Sequence, residues 1–415
     1  MNDPDVAGRE SLTPSKDGAE RRSEGIISAV IEHWRDSPDS ALSVRSLTAS
    51  AGTAASAIGY HFGGLEQLFV AASRRMLAPA KLWMERVLRD ILPLGGRPVP
   101  IQVSASIIAV TIDQWIGERS LAMAWRRTKS LSPTPDALVV QLAWDEAWID
   151  FWARIGECLG MTVHARTLAA FADGEACRHL LSWKPVLDKC LLQETALALT
   201  SWLDTNRIAG DSCRMAYRAG LTSDFAKLND DREIQFSLFG NAAADLLARK
   251  GRSGVTFRAV AMEANSTLGA VSHHFGNKSN LLREALYRLY ERETMTGDRG
   301  ALFKREIPPS IMLDQIITGI VTDNHPILAA YDEIELAIYN DPDFIDLGTA
   351  ARCLDDPSGT WALKNLLGGQ QPSQSLVAAF SSVCRGAGHL IATGARHADN
   401  SDAFVRSALS PFCVN

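Results

Sequence analysis

The chain has 415 residues, 46% of them apolar and 22% charged, with a mean hydropathy of −0.03. That composition excludes a wholly disordered chain, a collagen-like fibre and a disulfide knot, and the length suits two or three domains. A formal net charge of −6 excludes a uniformly basic coat, so any nucleic-acid contact must come from a local patch.

Residues 1–20 are polar and mixed in charge and read as a loose arm; Met1-Asn2-Asp3-Pro4-Asp5 lacks the basic start and apolar run of a secretory signal. Ile26, Ile27, Val30, Ile31 and Trp34 then recur at spacings that place one apolar stripe on a helix. The breakers Asp36-Ser37-Pro38-Asp39-Ser40 end it, and Ser43 stands as the N-cap of a second helix running to Ala51. A tight turn at Gly52, a residue that tolerates a left-handed backbone, leads into a third helix that reaches about His61 and closes on Phe62-Gly63. Ala54, Ala55, Ser56, Ala57 and Gly59 give that third helix a slim face.

From 76 to 213, helical patterns alternate with breakers such as Pro93 to Pro100 and Ser132-Pro133-Thr134-Pro135. Nine of the ten tryptophans lie in this first half of the chain, and Trp144, Trp148 and Trp152 step by four residues along one helix side. Two readings stand side by side: an aromatic wall of an effector pocket around Trp115, Trp125 and Trp148, or ordinary core and interface packing.

The pattern of the first 75 residues then returns. Ala41 to Phe69 and Gly254 to Leu282 align without a gap at an offset of 213, with seven identities: Arg45/Arg258, Ala51/Ala264, Ala57/Ala270, His61/His274, Phe62/Phe275, Gly63/Gly276 and Leu68/Leu281. Phe236, Phe239, Ala243, Leu246 and Leu247 form the upstream stripe, Lys250-Gly251-Arg252-Ser253-Gly254 the breaker, Thr256 the N-cap and Asn265 the turn. From 291 to 415 helical patterns resume, broken at Pro308-Pro309, Asp355-Asp356-Pro357 and Gly368-Gly369. No segment alternates with the strand period, so the expected fold is all-α. The expected order is an arm (1–20), a first head (21–75), a first helical regulatory domain (76–213), a linker (214–231), a second head (232–290) and a second helical regulatory domain (291–415). The two halves should meet as a bundle through Val186–Leu203 and Gln374–Thr393.

Two helices joined by a short turn form the helix-turn-helix unit, whose second helix enters the DNA major groove. With Ala51-Gly52 … Ala57-Ile58-Gly59-Tyr60-His61-Phe62-Gly63 and Ala264-Asn265 … Ala270-Val271-Ser272-His273-His274-Phe275-Gly276-Asn277-Lys278, the chain resembles the tetracycline-repressor (TetR/AcrR) family of bacterial transcription regulators, twice over. The motif spans about 50 residues per copy. The resemblance implies a DNA-binding head and an all-helical ligand-binding domain in each copy, and a covalent pseudo-dimer in place of the usual two-chain dimer. Its partners would be double-stranded operator DNA, read as two half-sites about 34–36 Å apart or multiples of that, and a small-molecule effector. Repression is the family's usual sign. Whether whole chains pair again is left open.

Carried over by position, the DNA-facing residues are Ser43, Arg45, Thr53, Tyr60 and His61 in the first copy. In the second they are Thr256, Arg258, Thr267, Leu268, Ser272, His273, His274 and Lys278. His61 and His274 also suit a packing role at a helix end, and Phe62 and Phe275 read as core plugs. The first copy departs from the family pattern at Leu65, where a phosphate-binding lysine is expected. Residues 232–290 carry eight basic and four acidic side chains, a balance of +4, whereas residues 20–75 carry six of each. Phosphate neutralisation supplies most non-specific affinity, so the second head should bind more strongly.

An enzyme is not expected, since no phosphate-cradling glycine loop or nucleophile elbow occurs. No cofactor and no metal-spaced His/Cys/Glu cluster is visible, and Asp332, Glu333 and Glu335 read as a solvated helix face. The seven cysteines, Cys158, Cys177, Cys190, Cys213, Cys353, Cys384 and Cys413, form no C-x-x-C pair; beside apolar neighbours such as Leu159 and Leu191 they read as buried free thiols of a cytoplasmic protein. No apolar run is long enough to span a membrane. The alternative function is a ligand-binding or protein-interaction scaffold with degenerate heads.

Overall fold

In the computed structural model of the chain, residues 16–36, 42–95, 97–129, 131, 134–180, 184–210, 212–219, 234–294, 305–322, 357–391 and 398–414 are described below. Among them every regular element is helical and none is a strand, as the absence of period-two patterning requires. Among the described residues no helix is long and apolar enough to cross a membrane. Cys353, Asp332, Glu333, Glu335 and most of the arm lie outside the described residues; the arm's last five residues belong to the first helix.

The first head consists of α1 (Lys16–Asp36), α2 (Val44–Ser50), α3 (Ser56–Phe62) and the start of α4 (Leu65–Ile91). Its apolar stripe behaves as the spacing predicts: Ile26, Val30 and Trp34 are buried and close on Leu47, Ile58 and Leu68. The first regulatory domain follows, with α5 (Ile101–Gly117), α6 (Arg119–Lys129), α7 (Pro135–Cys158), α8 (Ala165–His179) and α9 (Pro185–Thr205). Helix α1 packs on α6, so the first head shares one continuous hydrophobic core with the domain behind it.

The segment expected as a linker begins instead as a docked helix, α10 (Ser212–Ala219). The Glu194 carboxylate accepts the backbone N–H groups of Cys213 (2.7 Å) and Arg214 (3.0 Å), supplying acceptors to a helix start that lacks them. The Arg214 guanidinium donates to Thr195 Oγ1 at 3.0 Å.

The second head is α11 (Ile234–Gly254), α12 (Phe257–Glu263), α13 (Leu268–Phe275) and α14 (Lys278–Thr294). Helix α11 runs through the expected breaker at 250–254, because the two glycines there are outweighed by the packing of Phe239, Ala243, Leu246 and Leu247 upstream. This head has its own core, separate from the first among the described residues. Helices α15 (Pro309–Thr322), α16 (Pro357–Leu366), α17 (Gln374–Ile391) and α18 (Ala398–Leu409) follow among the described residues.

The halves meet where α8 crosses α17. The backbones touch there: a Cβ on Gly174 would lie 2.1 Å from the Ser382 carbonyl oxygen, and one on Gly386 would lie 1.8 Å from that of Ala170. Helix α9 also packs on α17 and α18 on α8, so the junction is broader than the expected contact of Val186–Leu203 with Gln374–Thr393. The expectation missed α8, because helix length does not reveal a notch made by one glycine on each side. The Thr167 hydroxyl donates to the Ala408 carbonyl (2.9 Å) and the Trp202 indole to that of Pro411 (2.9 Å). Glu175 is fully buried at the crossing. Burial pushes its carboxyl up, but bonds from His179 (3.1 Å) and the Ser382 hydroxyl, with the Arg178 charge, hold it at about 2.

Candidate nucleic-acid interface

The two heads share one backbone plan. In the first, the Thr53 N–H donates to the Thr48 carbonyl (2.9 Å) around Gly52 at φ +59°; in the second, the Ser266 N–H donates to Ala261 (2.8 Å) around Asn265 at φ +53°. Both third helices end at a glycine of positive φ, Gly63 and Gly276, whose N–H groups donate to Gly59 and Ser272 at 2.9 Å. These left-handed residues turn the chain so that the third helix stands against the second with one face outward. Val271 and Phe275 point into the core, while Thr267, Leu268, Gly269, Ser272 and His273 are exposed. The first head turns Ile58 inward and leaves Tyr60 76% exposed.

The caps differ. In the second head, Thr256, Thr267 and Asn277 each accept an N–H from the first turn of α12, α13 and α14: Ala259 at 3.1 Å, Ala270 at 3.2 Å and Asn280 at 2.8 Å. In the first head only Ser43 does so, in a capping box with Ser46 (3.0 Å). Ala54 and Gly64 occupy the positions of Thr267 and Asn277, and α3 and α4 start without a side-chain cap.

The expected contacts divide accordingly. Thr256 and Thr267 spend their hydroxyl acceptor on their own helices and keep a proton to donate, whereas the Ser43 hydroxyl also donates to Ser46 Oγ at 3.0 Å. Arg45, Arg258 and Lys278 are exposed at the starts of α2, α12 and α14, and Thr53 is half-buried in the turn. His61 is half-buried, edge-on to Tyr60 at 5.0 Å. His274 lies against Phe275 (4.5 Å) and Phe239 (5.5 Å), and this burial pushes its imidazole below the ordinary range. The head therefore brings Arg258, Thr267, Leu268, Ser272, His273 and Lys278 to its surface, and turns His274 partly inward.

The residues expected to line an effector pocket form a different structure. Trp115, Trp125 and Trp148 are buried and stacked together, with Trp115–Trp148 and Trp125–Trp148 centroids both at 5.2 Å. Trp83, Trp144, Phe151 and Trp152 extend the cluster. A cavity of about 470 Å³ lies instead on the outer side of α4 and α5, lined by residues that include Val87, Ile91, Val103, Ile107 and Gln114. No spacing in the sequence marks that groove, which forms only when two helices are brought side by side.

Among the described residues, an all-helical fold with an outward-facing, capped helix-turn-helix has the architecture of a DNA-binding head. Residues 241–285 match the family described as "Bacterial regulatory proteins, tetR family", a stretch covering most of α11, all of α12 and α13, and the start of α14. The match supports a DNA-binding transcription-regulator head at those residues. No curated protein matches the chain.

Proposed function

We propose that the protein is a ligand-responsive transcription regulator in which two tetR-like units are fused in one chain and act as a pseudo-dimer on an operator of two half-sites. The observation that carries this reading is the agreement of the two heads in turn, glycine closure and core at one offset, in the presence of a family match to the second. The junction supports the pseudo-dimer: α8 packs on α17 and α18, α9 packs on α17, and each of the latter starts or overlaps where an offset of 212–213 residues would put its counterpart. In this reading an effector bound to a regulatory domain favours one arrangement of the heads over another, which changes their fit to successive major grooves. A repressor acting in the cytoplasm is the form we favour, with the second head supplying most of the affinity.

Footprinting on the DNA flanking the gene tests the reading. A protected site whose binding weakens steeply as salt rises is expected. Sequence-blind, weak association would leave the scaffold alternative in its place, an alternative favoured by the charge-neutral first head, whose third helix starts without a side-chain cap.

A further inference from the structure

The Asp173, Cys177 and His389 side chains meet inside the α8–α17 crossing, and we propose that they form a binding site for a divalent cation of the zinc class. Asp173 and Cys177 are one helical turn apart on α8, on the same face. His389 comes from α17, 212 residues beyond Cys177. The glycine notch brings them together: Cys177 stands three residues after Gly174 and His389 three residues after Gly386, so the two donors occupy matching places across the crossing. One carboxylate oxygen, one sulfur and one imidazole nitrogen lie within 4.8 Å of one another, all on buried residues.

The geometry is close to that of a metal centre. His389 Nδ1 is 3.7 Å from Cys177 Sγ, near the separation of about 3.6 Å that sulfur and nitrogen have on one tetrahedral zinc ion. Nδ1 is 2.7 Å from Asp173 Oδ2, a hydrogen bond that must open to about 3.4 Å for both atoms to bind one ion. The other carboxylate oxygen, Oδ1, accepts the Trp125 indole N–H at 2.7 Å. That bond fixes the carboxylate plane and leaves Oδ2 directed at the imidazole, the outer-shell arrangement that orients metal ligands. A second buried cation is close by, since the Arg126 guanidinium reaches the Cys177 carbonyl at 3.4 Å.

The chemistry selects the ion. A thiolate and an imidazole favour zinc, cobalt or cadmium over magnesium or calcium. Binding displaces the Cys177 thiol proton, and the Nδ1 proton that the Asp173 carboxylate accepts is replaced by one on Nε2 as the neutral ring changes tautomer, so one proton is released per ion. Thiolate and carboxylate then balance the two positive charges inside the protein, where an unbalanced ion would be costly. Among the described residues there is one such cluster, and the residues that mirror Asp173 and Cys177 across the crossing, Arg385 and His389, do not form a second copy of the set.

Titration of the full-length protein with Co²⁺, followed by competition with Zn²⁺, tests the site. A thiolate-to-cobalt charge-transfer band that saturates at one ion per chain is expected, with the band bleached by Zn²⁺ and Tm raised by it. Cys177→Ser should abolish the band and the Tm rise, and Cys190→Ser, at an exposed thiol, should change neither. Melting of each variant in chelator reports whether it folds; should Cys177→Ser fail to fold, His389→Gln gives the same comparison. Absence of the band in the wild-type chain, or its persistence in either ligand variant, would overturn the proposal. These readouts need no DNA, so they stand or fall apart from the regulatory reading.

Discussion

The two heads differ less in backbone than in what holds and charges them. The first is continuous with the domain behind it through α1 on α6, has one side-chain cap and carries no net charge. The second closes its own core, caps three helices and carries four surplus positive charges. The difference teaches that a head packed into a large core can lose local caps, whereas one with a small separate core needs them, each being worth about 1 kcal/mol.

The largest expected effect tests that separation. Trp34→Ala and Phe239→Ala should each cost about 3–5 kcal/mol at buried aromatic sites. In calorimetry, Trp34→Ala should lower the transition of the large core, which includes both regulatory domains, and Phe239→Ala only that of the second head. A single transition lowered equally by both would show the heads to be energetically alike.

Next in size is DNA affinity. Thr267→Ala combined with His273→Ala should weaken binding by about 30- to 900-fold if each contact is worth roughly 1–2 kcal/mol, while Tyr60→Ala should cost less than about threefold. Gel-shift titrations yielding equal losses would refute unequal heads. Smaller still is the cap: Ala54→Thr, which offers a hydroxyl to the Ala57 N–H, should stabilise the first head by up to about 1 kcal/mol, measured by urea denaturation. No gain would mean that the start of α3, where Ala55 has helical φ and ψ, cannot take up cap geometry.

The smallest effect concerns pH. Burial against Phe275 and Phe239 lowers the folded-state pKa of His274, so its neutral form is favoured on folding. The associated stability is present above the unfolded value of about 6.5 and is lost as pH falls through the folded one. His274→Phe should flatten the acid side of the second head's stability profile, and an unchanged profile would assign that dependence elsewhere.

Local signals made the heads readable from sequence. Gly52, Asn265, Gly63 and Gly276 declare positive φ by their residue type, and Ser43 and Thr256 declare caps by their place before an apolar run. The junction was not readable, because Gly174 and Gly386 gain meaning only when α8 and α17 touch. For the same reason Asp173, Cys177 and His389 show no ligand spacing along the chain. The thiols illustrate a further limit. Expected as buried, the six described cysteines include only one that is, Cys177; Cys190 is exposed although its neighbour Leu191 is 2% exposed. Adjacent residues on a helix point about 100° apart, so an apolar neighbour says little about burial.

The crowding of indoles between α4 and α8 has an optical consequence. Rings at 5.1–5.9 Å pass absorbed light among themselves, so emission from this chain reports chiefly on one neighbourhood rather than on ten scattered sites. Trp125 belongs to that neighbourhood and is tied by its N–H to Asp173, which makes the natural fluorescence of the protein an inbuilt gauge of movement where its two halves join.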